Sequence, residues 1–349
     1  MSRKPIVLHT APHVKRPQEV PVIMRNVVFA LLPILAFAIY QFGISVLALT
    51  LVVTLTCLAT ERFFNWMSNR TSSLGDWSAV ITGILMALTL PPGFPLWMGV
   101  VAGFVGMAMG KMVFGGIGFN VFNPALVGRA FVQAAFPVAI TTWTPAFFDG
   151  RFTQFIPTTL TMPFMMPPDI SAWASSVAVD GFTGATPLGL QKFQDTQTAP
   201  MELLTGMTAG SAGETSALLI FVCGLYLAFR NMMNWRIPVW IFIGVTVTSG
   251  ALYLVDADKY PDPLFMLLSG GLMLGAMFMA SDMVGSPVTA RGVMIYGLLI
   301  GFLTVVIRVF GSLSEGIMYA ILLGNAATPL IDAMTQPRVF GARRKEQSP

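Results

Sequence analysis

The stretch VVFALLPILAFAIY, residues 27–40, is followed by Gln41-Phe42-Gly43 and then by ISVLALTLVVTLTCLAT, residues 44–60. No charged residue stands between Arg25 and Glu61. Two unbroken apolar runs of about 15–20 residues, parted only by a glycine-containing turn, suit paired helices crossing a bilayer; barrel strands alternate over roughly ten residues. Composition carries this reading to the whole chain. Of 349 residues, 55% are hydrophobic and 10% charged, and mean hydropathy is +0.72. Soluble domains carry about 25% charged residues. A chain this apolar needs lipid as solvent, and lipid admits only helices or closed barrels. The fold class is therefore an all-α polytopic membrane protein.

Ten spans are predicted. Five lie at residues 27–40, 44–60, 77–90, 96–113 and 123–140, and five at 216–229, 238–255, 263–280, 292–310 and 317–331. A polar loop, 61–76, follows the second span, Pro91-Pro92-Gly93 hinges the third to the fourth, and Gly115-Gly116-Ile117-Gly118 leads to the fifth. The organisation is a tail and five helices over 1–140, a polar loop over 141–215, and five helices with a second tail over 216–349. The mostly polar residues before Pro17 do not read as a signal peptide.

Ten spans put both tails on one side. Sixteen of the twenty lysines and arginines then fall there, including Lys111 and Arg129; Arg151, Lys192, Lys259 and Arg308 fall opposite. A basic excess in short loops marks the cytoplasmic face. The tails are expected in the cytoplasm and the 141–215 loop in the periplasm of a bacterial inner membrane. The net charge of +4 belongs to this topology: no basic stripe interleaved with aromatics points to nucleic acid. Cys57 and Cys223 lie in separate apolar segments and read as small buried hydrophobes. His9 and His13 lie in the tail, so no span offers a haem ligand. Trp66, Trp97, Trp143 and Trp235 read as interfacial aromatics.

The halves share a faint likeness. Gly83-Ile84-Leu85-Met86-Ala87 resembles the stretch from Gly275 to Met279-Ala280, and Asn123-Pro124-Ala125-Leu126 resembles Asn325-Ala326-Ala327-Thr328-Pro329-Leu330. Five spans per half would invert one repeat against the other, with ligand sites near the pseudo-twofold axis. Helix packing alone also breeds glycine-rich repeats.

The loop holds Asp180-Gly181-Phe182-Thr183-Gly184-Ala185-Thr186-Pro187-Leu188. Gly181 and Gly184 permit tight turns, and Pro187 biases Thr186 toward extended backbone. A hydroxyl on such a turn can be esterified; an ordinary polar loop fits the composition equally. The stretch resembles the flavinylation motif, serine or threonine–glycine–alanine–threonine, of the RnfD/NqrB family. The likeness extends over nearly the whole chain, including Phe122-Asn123-Pro124-Ala125-Leu126, and length and the short tail are more like the RnfD branch. The resemblance implies FMN joined through its phosphate to Thr186, with Asp180, Gly184 and Ala185 shaping or recognising the turn, and a separate flavin transferase that attaches it.

The resemblance also implies a non-covalent riboflavin near Asn120-Val121-Phe122-Asn123. Carboxamides can bond an isoalloxazine edge and Phe119 or Phe122 can stack on its face. Asn123 before Pro124 is equally a helix start signal, and cap and ligand contact can coexist. Asp282 and Asp332 fall at span ends, where acids are ordinarily solvated. The implied function is a subunit of an ion-translocating electron-transport complex of Rnf type, coupling ferredoxin–NAD chemistry to Na+ or H+ movement with other membrane, flavin and iron–sulfur subunits. The chain has no nucleotide-binding glycine fingerprint and no cluster-ligating cysteine set. It is a component of a translocase rather than a complete enzyme. A channel or secondary transporter with inverted five-helix repeats, or a membrane scaffold, is the competing reading; either would be colourless.

Overall fold

A computed structural model describes residues 19–337 apart from 72, 178–185, 195, 215 and 258. Among the described residues the regular structure is entirely helical. In the first half α1 is Val20–Phe42, α2 Ile44–Met67, α3 Ser78–Thr89, α4 Leu96–Met107 with a π turn over Ala108–Met112, α5 Pro124–Ala135 and α6 Pro137–Thr141. Three short helices follow: α7 Ser171–Val177, α8 Pro187–Gln194 and α9 Pro200–Thr205. The second half holds α10 Ala217–Phe229, α11 Arg236–Val255, α12 Pro263–Leu268, α13 Leu272–Leu274 with a π turn over Gly275–Met279, α14 Ala290–Phe310 and α15 Ile317–Thr335. α1, α2, α11, α14 and α15 are long and apolar enough to cross a membrane; α3, α4 with its π turn, and α10 are shorter apolar helices.

Helical segments occupy all ten predicted positions, with informative differences at their ends. α1 starts seven residues earlier than predicted, because Pro21 at its start needs no hydrogen-bond partner for the N–H it lacks. α2 runs on to Met67, so Glu61, assigned to a polar loop, lies inside a helix and is buried. The predicted fifth span is two helices, α5 and α6, parted at Phe136 ahead of Pro137. The predicted eighth span is broken: α12 ends at Leu268, Ser269-Gly270-Gly271 interrupts it, and Gly270 adopts φ +62.

The two halves pack in the same order. In each, the second long helix lies against the fourth segment and the fourth against the fifth: α2 on α4 and α4 on α5, α11 on α14 and α14 on α15. α1 meets α10, and α5 meets α15 across the halves. Glycines set the closest approaches. A Cβ at Gly301 of α14 would stand 2.6 Å from Ile241 O and 2.8 Å from Gly244 Cα of α11. Where apolar solvent offers no hydrophobic drive between helices, close backbone contact is what holds them together. The described residues of 142–216 cover one end of the bundle, and they are not merely a solvent loop. Ala212 N–H donates to Leu90 O (3.0 Å) and Gly213 N–H to Leu88 O (2.8 Å), capping the end of α3. Gln41 Nε2 donates to Gly206 O (2.9 Å) and Thr208 O (3.1 Å).

Gly301→Leu should separate α11 from α14. Overpacking of this kind costs about 1–3 kcal/mol or more, so we expect a lower melting temperature and aggregation in size-exclusion chromatography, with Gly301→Ala intermediate. A Gly301→Leu protein that melts like the parent would contradict the packing.

Candidate functional site

Two buried charge clusters occupy opposite ends of the bundle. At the end away from the 142–216 segment, the π turn closing α4 swings Lys111 inward. Its Nζ donates to Glu61 Oε1 (2.7 Å) and to Ser78 Oγ, and Ser73 Oγ adds a bond to Glu61 Oε1 (2.6 Å). Both charges are buried. Such a pair is held by desolvated electrostatics: each charge is costly alone and acceptable together.

Beside this pair opens a cavity lined by Lys111, Ser78, Asn120, Asn123, Phe278 and Asp282 among other residues. Ligand sites commonly combine apolar walls with few polar groups. α1, α3, α10 and the second π turn, through Met277 and Phe278, supply apolar walls; π turns recur at functional sites. Asn120 and Asn123, singled out from sequence, are brought together here. Asn123 is a helix cap: its Oδ1 accepts from Ala125 N (3.0 Å) ahead of Pro124. It also bridges the halves, donating from Nδ2 to Met279 O (3.3 Å). The Asn325 amide satisfies its surroundings when its oxygen accepts from the Asn123 N–H (3.1 Å) and its nitrogen donates to Tyr296 Oη (2.8 Å). The two asparagines that sequence likeness placed in corresponding positions are therefore neighbours. Asn120 is held more loosely, donating to Phe122 O (3.4 Å) and Asp282 Oδ2 (3.3 Å).

Asp282 corrects the expectation of a solvated span end. It lines the cavity, and burial raises its carboxyl above the ordinary aspartate value, opposed by bonds from Val284 N–H and Asn120. Asp332 does not join it; it accepts from Val288 N–H (3.2 Å). Phe119 is not among the lining residues and is 70% exposed, so stacking from that position is not built into the cavity.

At the other end, Thr186 caps α8. Its Oγ accepts from Gly189 N–H (3.1 Å) and Pro187 holds the first helical position. The other motif residues proposed for the flavin turn, Asp180, Gly184 and Ala185, lie outside the described residues. Lys192, on the same short helix, donates to Arg308 O (3.0 Å), Gly311 O (2.5 Å) and Leu313 O (3.0 Å) at the end of α14. Beneath Thr186 is a small cavity that also touches Trp143, Ser211, Glu214, Gly270 and Glu315.

Sequence reading missed what surrounds this second cavity. Arg129 Nη1 bonds Glu214 Oε1 (3.1 Å) and Thr89 O. Arg308 donates to Met266 O (2.7 Å) and Ser269 O (3.0 Å), the carbonyls freed by the break after α12, and Glu315 accepts from Gly271 N–H (3.0 Å). Arg129, counted among cytoplasmic loop residues, is thus buried on α5 with partners at the opposite end, and it drops out of the topology argument. The signals were present: an arginine six residues into an apolar segment, and the Gly270-Gly271 pair in another.

Residues 7–341 match the NQR2, RnfD, RnfE family. The chain belongs to that family. The D subunit of the Na(+)-translocating ferredoxin:NAD(+) oxidoreductase complex of Acetobacterium woodii is 38% identical over 348 residues, covering 99% of this chain and 98% of that protein. Its counterpart in the proton-translocating ferredoxin:NAD(+) oxidoreductase complex of Clostridium ljungdahlii is 36% identical, covering 97% and 96%. The D subunit of an ion-translocating oxidoreductase complex of Alcanivorax borkumensis is 34% identical, covering 96% and 97%. The two family features quoted from sequence, the threonine before Pro187 and the Asn-Pro helix start, stand at opposite ends of this bundle.

Removing one member of the Glu61–Lys111 pair strands the other in an apolar interior. Glu61→Ala or Lys111→Ala should each destabilise by about 3–5 kcal/mol, and the Glu61→Met/Lys111→Met double variant by much less. Thermal unfolding in detergent, followed by tryptophan fluorescence, checks this; additive losses would show that the charges are not coupled.

Proposed function

We propose that this chain is the D subunit of an Rnf-type ion-translocating oxidoreductase complex and carries two flavins. One is FMN joined by a phosphoester to Thr186; the other is riboflavin held without a covalent bond near Asn120 and Asn123. The observation that carries the reading is the placement of these residues, each on a cavity, at the two ends of a bundle whose whole length matches the family. Flavins supply one- and two-electron redox chemistry, which is what an oxidoreductase subunit with no cluster-ligating cysteine set needs. The chain acts as a component of the complex, with ferredoxin and NAD handled by partner subunits. The sign of the basic-residue bias supports tails in the cytoplasm and Thr186 in the periplasm, in a bacterial inner membrane.

The residues fit both groups. The cavity beside Asn120 lies between the halves, its walls apolar and its polar groups few, as in ligand sites. Asn120 is the better contact, because its present bonds are long; Asn123 holds the helix start and the half-to-half bridge, so it positions the wall as much as it would touch a ligand. A phosphate on Thr186 Oγ would lie at the N-terminus of α8, where the first-turn backbone and the helix dipole favour an anion. Lys192 anchors that helix to α14. Which ion moves is left open by the relatives themselves, one named for Na(+) and one for protons.

Thr186→Ala should abolish in-gel flavin fluorescence after denaturation while the protein remains inserted in the membrane, and Thr183→Ala should keep at least part of it. Normal fluorescence from the Thr186 variant would move the attachment elsewhere.

Asn120→Ala should lose non-covalent flavin on purification while keeping the covalent one. A carboxamide bond lost from a partner left unpaired costs about 1–3 kcal/mol, where 1.4 kcal/mol is tenfold in affinity. Asn123→Ala should lower stability as well, through the cap. Acid extraction and quantification of released flavin separates the cases: unchanged released flavin in a well-folded Asn120 variant takes that residue out of the site.

A further inference from the structure

No charged residue stands between Arg151 and Asp169, and this run ends in Met162-Pro163-Phe164-Met165-Met166-Pro167-Pro168. It docks on the end of the α3–α4 hairpin: Leu96 N–H donates to Thr159 O (3.1 Å) and Thr158 Oγ donates to Gly93 O (2.5 Å). Beyond that anchor its apolar side chains turn outward. Phe164, in left-handed backbone at φ +65, is 94% exposed, Met166 78% and Met165 61%. In water an uncharged patch of this kind would be a liability.

The run also forms one wall of a groove of about 570 Å³, the other wall being Trp97, Phe136 and Val138. The Trp97 ring lies between two others, 5.2 Å from Phe136 and 5.7 Å from Phe164. Its Nε1–H is buried and has no acceptor. A buried indole normally finds one, and tryptophan favours the level where lipid carbonyls begin. On the two helices that supply this wall, Val100 and Phe104 of α4 and Phe131 of α5 are also apolar and exposed.

We propose that this groove takes an acyl chain of a diacyl phospholipid from the adjacent leaflet, that the lipid's ester carbonyl accepts from Trp97 Nε1–H, and that Phe164, Met165 and Met166 lie in lipid rather than water. The backbone lowers the cost. Unpaired N–H groups are what keep irregular chain out of a bilayer. Pro163, Pro167 and Pro168 have none, and Met165 N–H is bonded to Met162 O (3.1 Å), which leaves the N–H groups of Phe164 and Met166 to the ester and headgroup level rather than to the hydrocarbon. The occupant is lipid rather than a partner protein because the groove lies without a polar rim beside the exposed apolar residues of α4 and α5 and offers a single donor, matched to one carbonyl.

The test uses Met165→Cys in the full chain, purified with its co-assembled subunits. Cys57 and Cys223 are buried, so an environment-sensitive dye labels the new thiol selectively. In phosphatidylcholine vesicles, nitroxide on the lipid near the ester should quench the dye strongly and aqueous iodide weakly. Quenching by iodide without quenching by lipid places the loop in water, and protection from both places it under protein; either overturns the proposal. Trp97→Phe keeps the ring and removes the donor. It should retain less phospholipid through exhaustive detergent exchange than the parent, and equal retention would remove the indole from the site.

Discussion

A helix that breaks inside an apolar bundle frees backbone groups that no solvent can satisfy. Here the break after α12 is met by charges. Arg308 takes two freed carbonyls, Glu315 takes the Gly271 N–H, and Glu214 packs so closely that a Cβ at Gly271 would stand 2.6 Å from its Oε1. Arg129 then balances Glu214 and ties both to the end of α3. Burial, and after it the neighbouring Glu315, raise the Glu214 carboxyl, and Arg129 opposes them. The break, the four charges and the end of the third helix form one assembly. It fixes the 208–214 segment against the bundle, and with it the floor under Thr186.

The opposite end solves a similar problem with one pair. The π turn after α4 places Lys111 against Glu61, and the π turn after α13 turns Met277 and Phe278 toward the same cavity. The halves are joined there through neutral amides, Asn123 to Met279 and to Asn325, which bridge without the desolvation cost of charge. The cavity so framed is bridged across the halves by neutral amides, with Lys111 and Asp282 in its wall.

Much of the fold was legible because lipid imposes a simple grammar: length and apolarity located ten helical segments, and the Asn123-Pro124 start was read as a cap and is one. What escaped was whatever breaks that grammar. Glu61, Lys111, Arg129 and Arg308 were sorted by their charge into loops or span ends, because a linear reading cannot see a partner 39 to 85 residues away. The helix break at Gly270-Gly271 was likewise hidden inside an apolar run, since the side chains that compensate it come from other segments. Thr186 was singled out by resemblance alone; that its hydroxyl caps α8 was not legible, because an eight-residue helix lies below what periodicity resolves.

Lys192 closes its three bonds on carbonyls that follow it by 116 to 121 residues. A chain emerging from the ribosome N-terminus first therefore presents residue 186 long before its clasp exists. Until the ninth helical segment has been threaded into the bilayer, the short helix has nothing to fasten to, and the threonine hydroxyl stands free. Afterwards it sits half-buried over its cavity. The flavin attachment proposed at Thr186 would thus have an early interval of easy access, and completion of the ninth helix would bring that interval to a close.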